Sequence, residues 1–148
     1  MNRMRKLRLI VAALPIVWTT QLLASEIAPT AKMVSFNRDV FPIFSDRCFA
    51  CHGPDANDRK ATLRLDRADG VDGAYRTHEG STAIKPGSIK GSQLWYRITT
   101  DDVDEAMPPA HARKKPLSQR ERAIIKSWIE AGAPYERFWA FVPVKKPD

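Results

Sequence analysis

Arg47 to Asp66 reads RCFACHGPDANDRKATLRLD and holds both cysteines of the chain, Cys48 and Cys51, with His52 directly behind the second. Two thiols three positions apart serve one of three chemistries: a redox dithiol, a shared metal, or capture of a haem. A thioredoxin-type dithiol needs a β-α-β frame. Here one flank reads as helix and the other as loop, with no β-branched run nearby. A structural zinc site needs two further ligands in tetrahedral array. The chain has no third cysteine, and its other histidines, His78 and His111, stand 33 residues apart. Cys-x-x-Cys-His is the signature of covalent haem attachment. Each thiol adds to one vinyl group of the ring, and a separation of one helical turn lets both reach neighbouring vinyls. His52 is then brought beneath the ring as an axial ligand to the iron. Both cysteines are used, which predicts one haem c per chain.

Export suits this chemistry, and the N-terminus reads as an export signal. Arg3, Arg5, Lys6 and Arg8 form a basic start, an apolar run follows from Leu9 to Trp18, and Ala24 and Ser25 are small residues suited to cleavage. The alternative is an uncleaved anchor, but spanning a bilayer takes about 20 apolar residues, and Pro15, Thr19, Thr20 and Gln21 cut this run short. The expectation is a periplasmic or equivalent extracytoplasmic location with no stable membrane span. Removing residues 1–25 leaves 20 basic against 17 acidic side chains, so the formal charge drops from +7 to +3. The high overall charge is therefore no argument for nucleic-acid binding.

The expected organisation is a signal peptide over 1–25, a flexible leader over 26–34, the haem domain over 35–134 and an aromatic tail or linker over 135–148. Within the domain, Val40, Phe41, Phe44 and Cys48 fall at helical spacing, with Asn37 as a plausible cap. Pro42 is tolerated only in the first turn. This predicts a turned or extended start, then a short helix delivering Cys48 to Cys51. Six of the seven glycines lie from Gly53 to Gly91, so that stretch reads as long loops. Ser92 to Thr100 has a serine cap and an apolar stripe through Leu94, Trp95 and Ile98, a second helix. Ser118 and Glu121 form a capping box ahead of Ile124, Ile125, Trp128 and Ile129, with Gly132 and Pro134 as the stop, a third. The fold class is all-α: three to five helices and long loops wrapped around one covalently bound haem, which would order loops poor in aliphatic side chains.

The sixth iron position decides the chemistry. Of the methionines beyond the signal, Met33 lies in the leader, a poor place for a fixed ligand. Met107 sits in EAMPPAH, where two prolines stiffen the loop and lower the entropic cost of presenting sulfur. His111, four residues on, is the rival ligand, while His78 reads as solvated. The bland alternative for Met107 is a core plug.

The segments FNRDVFPIFSDRCFACHGPDANDRKATLRLD, AIKPGSIKGSQLWYRI, MPPAHARKKPLSQRERAIIKSWIEAGA and FWAF, in this order and spacing from about Phe36 to Phe141, are together similar to the planctomycete-type cytochrome c domain. The resemblance implies a class-I-like cytochrome c fold with His52 and Met107 as axial ligands. It also implies crossing first and last helices, with Phe41 and Phe44 meeting Ile125, Trp128 and Ile129. Members usually continue past the W-A-F segment into larger domains, so a stand-alone carrier and a piece of a longer ancestor are both expected forms. The RFWAF segment is expected to fold back on the core rather than dock elsewhere.

Around the site, Arg59, Lys60, Arg64 and Arg67 are candidates for pairing with haem propionates, or form a solvated face balanced by Asp55, Asp58, Asp66 and Asp69. Lys90, Arg113, Lys114 and Lys115 are a candidate docking rim for an acidic redox partner, which could be an enzyme carrying the domains that follow this module in relatives. Pro54 or Pro86 is expected to offer a carbonyl to the second nitrogen of His52. The expected function is electron transfer without enzymatic bond-making, through cofactor-binding residues Cys48, Cys51, His52 and Met107, the last two on the metal. The alternative is a haem sensor or peroxidase-like enzyme with a labile sixth ligand.

Overall fold

Phe36 begins the ordered core, and a computed structural model describes residues 33–137. A π-helical turn, Phe36–Val40, runs directly into helix α1 (Phe41–Arg47), and a one-turn helix α2 (Phe49–His52) follows. Pro42 falls in the first turn of α1, where its missing N–H has no partner to lose. The cap of the π turn is Ser35, not Asn37: the Ser35 hydroxyl accepts from the Arg38 N–H at 3.3 Å. Asn37 is drawn elsewhere, its Nδ2 donating to the Arg137 carbonyl at 2.7 Å.

Loops occupy 53–76, as expected, but the chain is not purely helical. Strands β1 (Thr77–His78) and β2 (Ser81–Thr82) pair antiparallel, Thr77 opposite Thr82. The turn between them places Glu79 at φ 50° and Gly80 at φ 78°. Two successive positive φ angles give the hairpin turn whose twist matches that of the strands. Each strand is two residues long and carries no alternating apolar pattern, so nothing in hydropathy marks it.

Helix α3 (Gln93–Thr99) starts after Ser92, but the Ser92 hydroxyl does not cap it. Instead it accepts from the Lys85 N–H at 3.0 Å and donates to the Ser88 carbonyl at 2.7 Å, fastening the preceding loop. A 3-10 turn, Ala110–Ala112, precedes helix α4 (Gln119–Glu130). The capping box of α4 is complete: the Ser118 hydroxyl accepts from Glu121 N–H at 3.2 Å, and the Glu121 carboxylate accepts from Ser118 N–H at 2.6 Å. These bonds hold the Glu121 carboxyl below its usual range, with Arg47 adding to the effect. Its contribution to stability is therefore complete above the usual carboxylate range and lost as pH falls through the lowered folded value. Ser118→Ala is expected to cost about 1 kcal/mol in urea unfolding at neutral pH; an unchanged midpoint would contradict the capping role.

The π turn packs against α4, and α4 also packs against α3. Phe36, Val40, Phe44, Ile125, Trp128 and Ile129 are buried at the heart of the core. Ring centroids of Phe36 and Phe44 lie 5.6 and 5.8 Å from Trp128. Phe41 sits edge-on to Phe36 and Phe49, at 6.1 and 5.4 Å. The expected meeting of the N-terminal segment with the last helix is made by the π turn and by Phe44 on Trp128, while Phe41 packs on Phe36 and Phe49.

The segment after α4 folds onto the same core. Tyr135 packs 4.4 Å from Phe36 and 5.2 Å from Trp128, and its hydroxyl donates to the Leu65 carbonyl. The Glu136 carboxylate accepts from the N–H groups of Phe36 and Asn37 and from the Ser35 hydroxyl. The expected fold-back of Phe138 to Phe141, the signal over 1–25 and most of the leader lie outside the described residues. Among the described residues, no helix is long and apolar enough to cross a membrane.

Candidate haem-binding site

The junction of α1 and α2 builds one wall of a cavity of about 570 Å³, within the roughly 300–1,000 Å³ typical of enclosed ligand sites. Cys48 N–H donates to the Phe44 carbonyl at 2.8 Å, continuing α1, and His52 N–H donates to the Cys48 carbonyl at 2.8 Å. One helical turn therefore separates Cys48 from Cys51, and His52 follows on that same turn. The chain must then leave abruptly: a Cβ at Gly53 would lie 2.4 Å from the Phe49 carbonyl oxygen, so only glycine fits. Lys60 N–H returns to the Cys51 carbonyl at 2.7 Å and Leu65 N–H to the His52 carbonyl at 2.8 Å, locking the loop beside the motif.

Cys48, Cys51, His52, Met107 and His111 all line this cavity, with Leu94, Ile98 and Leu117 among its apolar walls. Met107 arrives from the loop after α3, its N–H donating to the Arg97 carbonyl at 2.8 Å, and its peptide bond to Pro108 is cis. Met33 is 82% exposed and not on the cavity. His78 is exposed on β1, also away from it.

Burial pushes the Cys48 thiol up to about 12, the effect of an apolar surrounding on a thiol. Among the described residues no cluster of three or more His, Cys, Asp or Glu side chains is placed to hold a metal ion. Burial lowers the pKa of His52 and the Arg97 charge adds to this, against an opposing influence from the backbone of Lys60 and Leu63. The imidazole is thereby kept neutral, the form that binds iron. Its Nδ1 is buried with no hydrogen-bond partner among the described residues. An apolar cavity, two thiols one turn apart and a neutral histidine fit a covalently held haem.

The neighbours expected around this site are arranged differently. The Pro54 carbonyl, a candidate acceptor for His52, accepts instead from Arg59 Nη2 at 2.6 Å, and Pro86 does not reach the cavity. Arg59 pairs with Asp72 at 3.2 Å, Arg67 also pairs with Asp72, and Arg64 pairs with Asp66. These arginines hold the loop together, with Asp72 as a hub absent from the expected balancing set. Of the four basic residues first considered for the propionates, Lys60 alone lines the cavity. Lys114 also lines it, 3.5 Å from Asp46. Arg47 and Arg97 are cavity residues that sequence reading did not single out; an arginine within a helical pattern gives no signal of which way it turns.

A family model described as Planctomycete cytochrome C matches residues 48–111, from the first cysteine to His111. Residues 48–111 carry a planctomycete-type cytochrome c domain. No curated protein and no solved structure matches the chain. The matched segment of this cytochrome c domain contains every candidate attachment and ligand residue, and α4, which closes the core, follows it in sequence.

Proposed function

We propose that this chain is an exported mono-haem c-type cytochrome that carries one electron at a time between protein partners. The observation carrying the proposal is a single apolar cavity lined together by Cys48, Cys51, His52 and Met107. Bound haem supplies a one-electron centre, and a histidine–methionine pair raises its potential. In this reading Cys48 and Cys51 would hold the ring by thioether bonds and His52 would bind its iron. Met107 would supply the second protein ligand to the iron, and Leu94, Ile98 and Leu117 would keep water from the ring. None of these residues makes or breaks a bond during turnover. Lys114, with Arg113 and Lys115 beside it in sequence, offers positive charge at the cavity to an acidic partner.

The choice between Met107 and His111 has a direct optical test. The ferric protein is expected to show the weak far-red band of sulfur-ligated haem. Met107→Ala is expected to abolish that band, lower the midpoint potential and let the ferrous form bind carbon monoxide, while His111→Ala leaves all three unchanged. A parent without that band, in which His111→Ala and not Met107→Ala lets the ferrous form bind carbon monoxide, would assign the position to His111.

A further inference from the structure

Arg97 stands in the last turn of α3, half-buried and on the wall of the cavity. Its main chain and side chain grip the same loop at two points. The Arg97 carbonyl accepts from the Met107 N–H at 2.8 Å. Its guanidinium Nη1 donates to the Glu105 carbonyl at 3.2 Å. The intervening Ala106 N–H is taken by the Asp102 carbonyl at 2.8 Å. Every residue from Glu105 to Met107 is thereby tied down. Beyond Met107, Pro108 and Pro109 have fixed φ angles, so the loop is stiff on that side without any tether. On the other side the segment is held by Arg97 together with the Asp102 carbonyl, which also accepts from the Glu105 N–H at 3.2 Å.

The two grips differ in what they require. Any residue at position 97 offers a carbonyl to Met107. The bond to Glu105 needs a side chain that turns back along the helix end with a charged donor, and a charge-assisted bond is stronger than a neutral one. A lysine supplies the charge but only a flexible point donor in place of the planar fork.

We propose that Arg97 is a positioning residue for the sixth iron ligand, its guanidinium holding the Glu105–Met107 segment so that the Met107 sulfur stays on the haem. The inference rests on the histidine–methionine reading above. Its consequence is that the Met107 bond opens more readily when the guanidinium is lost, although Met107 itself is intact. A purely structural arginine would lower global stability and leave ligand exchange at the iron alone.

The test uses the mature haem-loaded protein and its Arg97→Gln and Arg97→Lys variants, read by the far-red ferric band, by carbon monoxide affinity of the ferrous form and by denaturant unfolding. Arg97→Gln is expected to weaken the band and raise carbon monoxide affinity at least tenfold. Arg97→Lys, which preserves charge and most of the length should the glutamine variant fail to fold, is expected to fall between it and the parent. Band and affinity equal to the parent's in a folded variant would overturn the role of Arg97, even if unfolding shifted. A parent with covalent haem but no far-red band would overturn the Met107 ligation itself and this proposal with it.

Discussion

Exported from a host able to attach haem, the Cys48→Ser, Cys51→Ser double variant is expected to retain no haem after denaturation, a complete loss against one haem per parent chain. Serine is nearly isosteric with cysteine, so the α1–α2 turn and its bonds from the Cys48 N–H to the Phe44 carbonyl and from the His52 N–H to the Cys48 carbonyl are preserved. What is lost is the sulfur that forms a thioether. Each single variant is expected to keep one tether and hence some covalent haem, which separates attachment from folding. Absorbance per chain after extraction in acid organic solvent reads the difference. Haem that resists extraction from the double variant would contradict the roles given to Cys48 and Cys51.

Trp128→Ala is expected to destabilise the fold by about 3–5 kcal/mol, the range for truncating a large aromatic in a core. Trp128 is fully buried, its ring lies among those of Phe36, Phe44 and Tyr135, and its Nε1 donates to the Pro134 carbonyl at 3.0 Å. Truncation removes the surface on which the π turn, α1 and the post-α4 segment meet. Since domains are stable by only about 5–15 kcal/mol, the variant should be partly unfolded at 37 °C. Guanidinium unfolding of the haem-loaded protein checks this; a loss below about 1 kcal/mol would mean that the core does not depend on this contact.

Local chemistry was legible in the sequence. The cysteine–histidine motif, the capping box at Ser118 and Glu121, and the buried face of Ile125, Trp128 and Ile129 each arise from residues within one or two helical turns of one another. What escaped reading depends on distant partners. Ser35 rather than Asn37 caps the π turn because Glu136, about a hundred residues away, takes the N–H groups of Phe36 and Asn37. Ser92, placed as a helix cap, is drawn to Lys85 and Ser88 because the loop folds back over it. Asp72 became the partner of Arg59 and Arg67 through a loop closure that no periodicity encodes. The hairpin at Thr77–Thr82 is too short to show alternation. The loops were expected to lean on the cofactor, yet they also carry buried residues of their own, Leu65, Ala74 and Ile84, and a bond from Ile84 N–H to the Ala74 carbonyl. Glycine content marked these segments as loops but could not reveal how they close.

The site follows the same division. Cys48, Cys51, His52 and Met107 were singled out as candidates from residue type and position, and the fold brings them to one cavity. Arg97 was not, because its importance lies in two carbonyl contacts made by the loop that bears Met107.

The most direct measurement is the intact mass of the exported chain, taken under denaturing conditions alongside titration of its free thiols. The expected result is a chain cleaved near Ser25, heavier by one haem, with neither Cys48 nor Cys51 titratable. A chain of unmodified mass with two free thiols, from a host that attaches haem to other cytochromes, would contradict the assignment of the motif and with it the electron-carrying function.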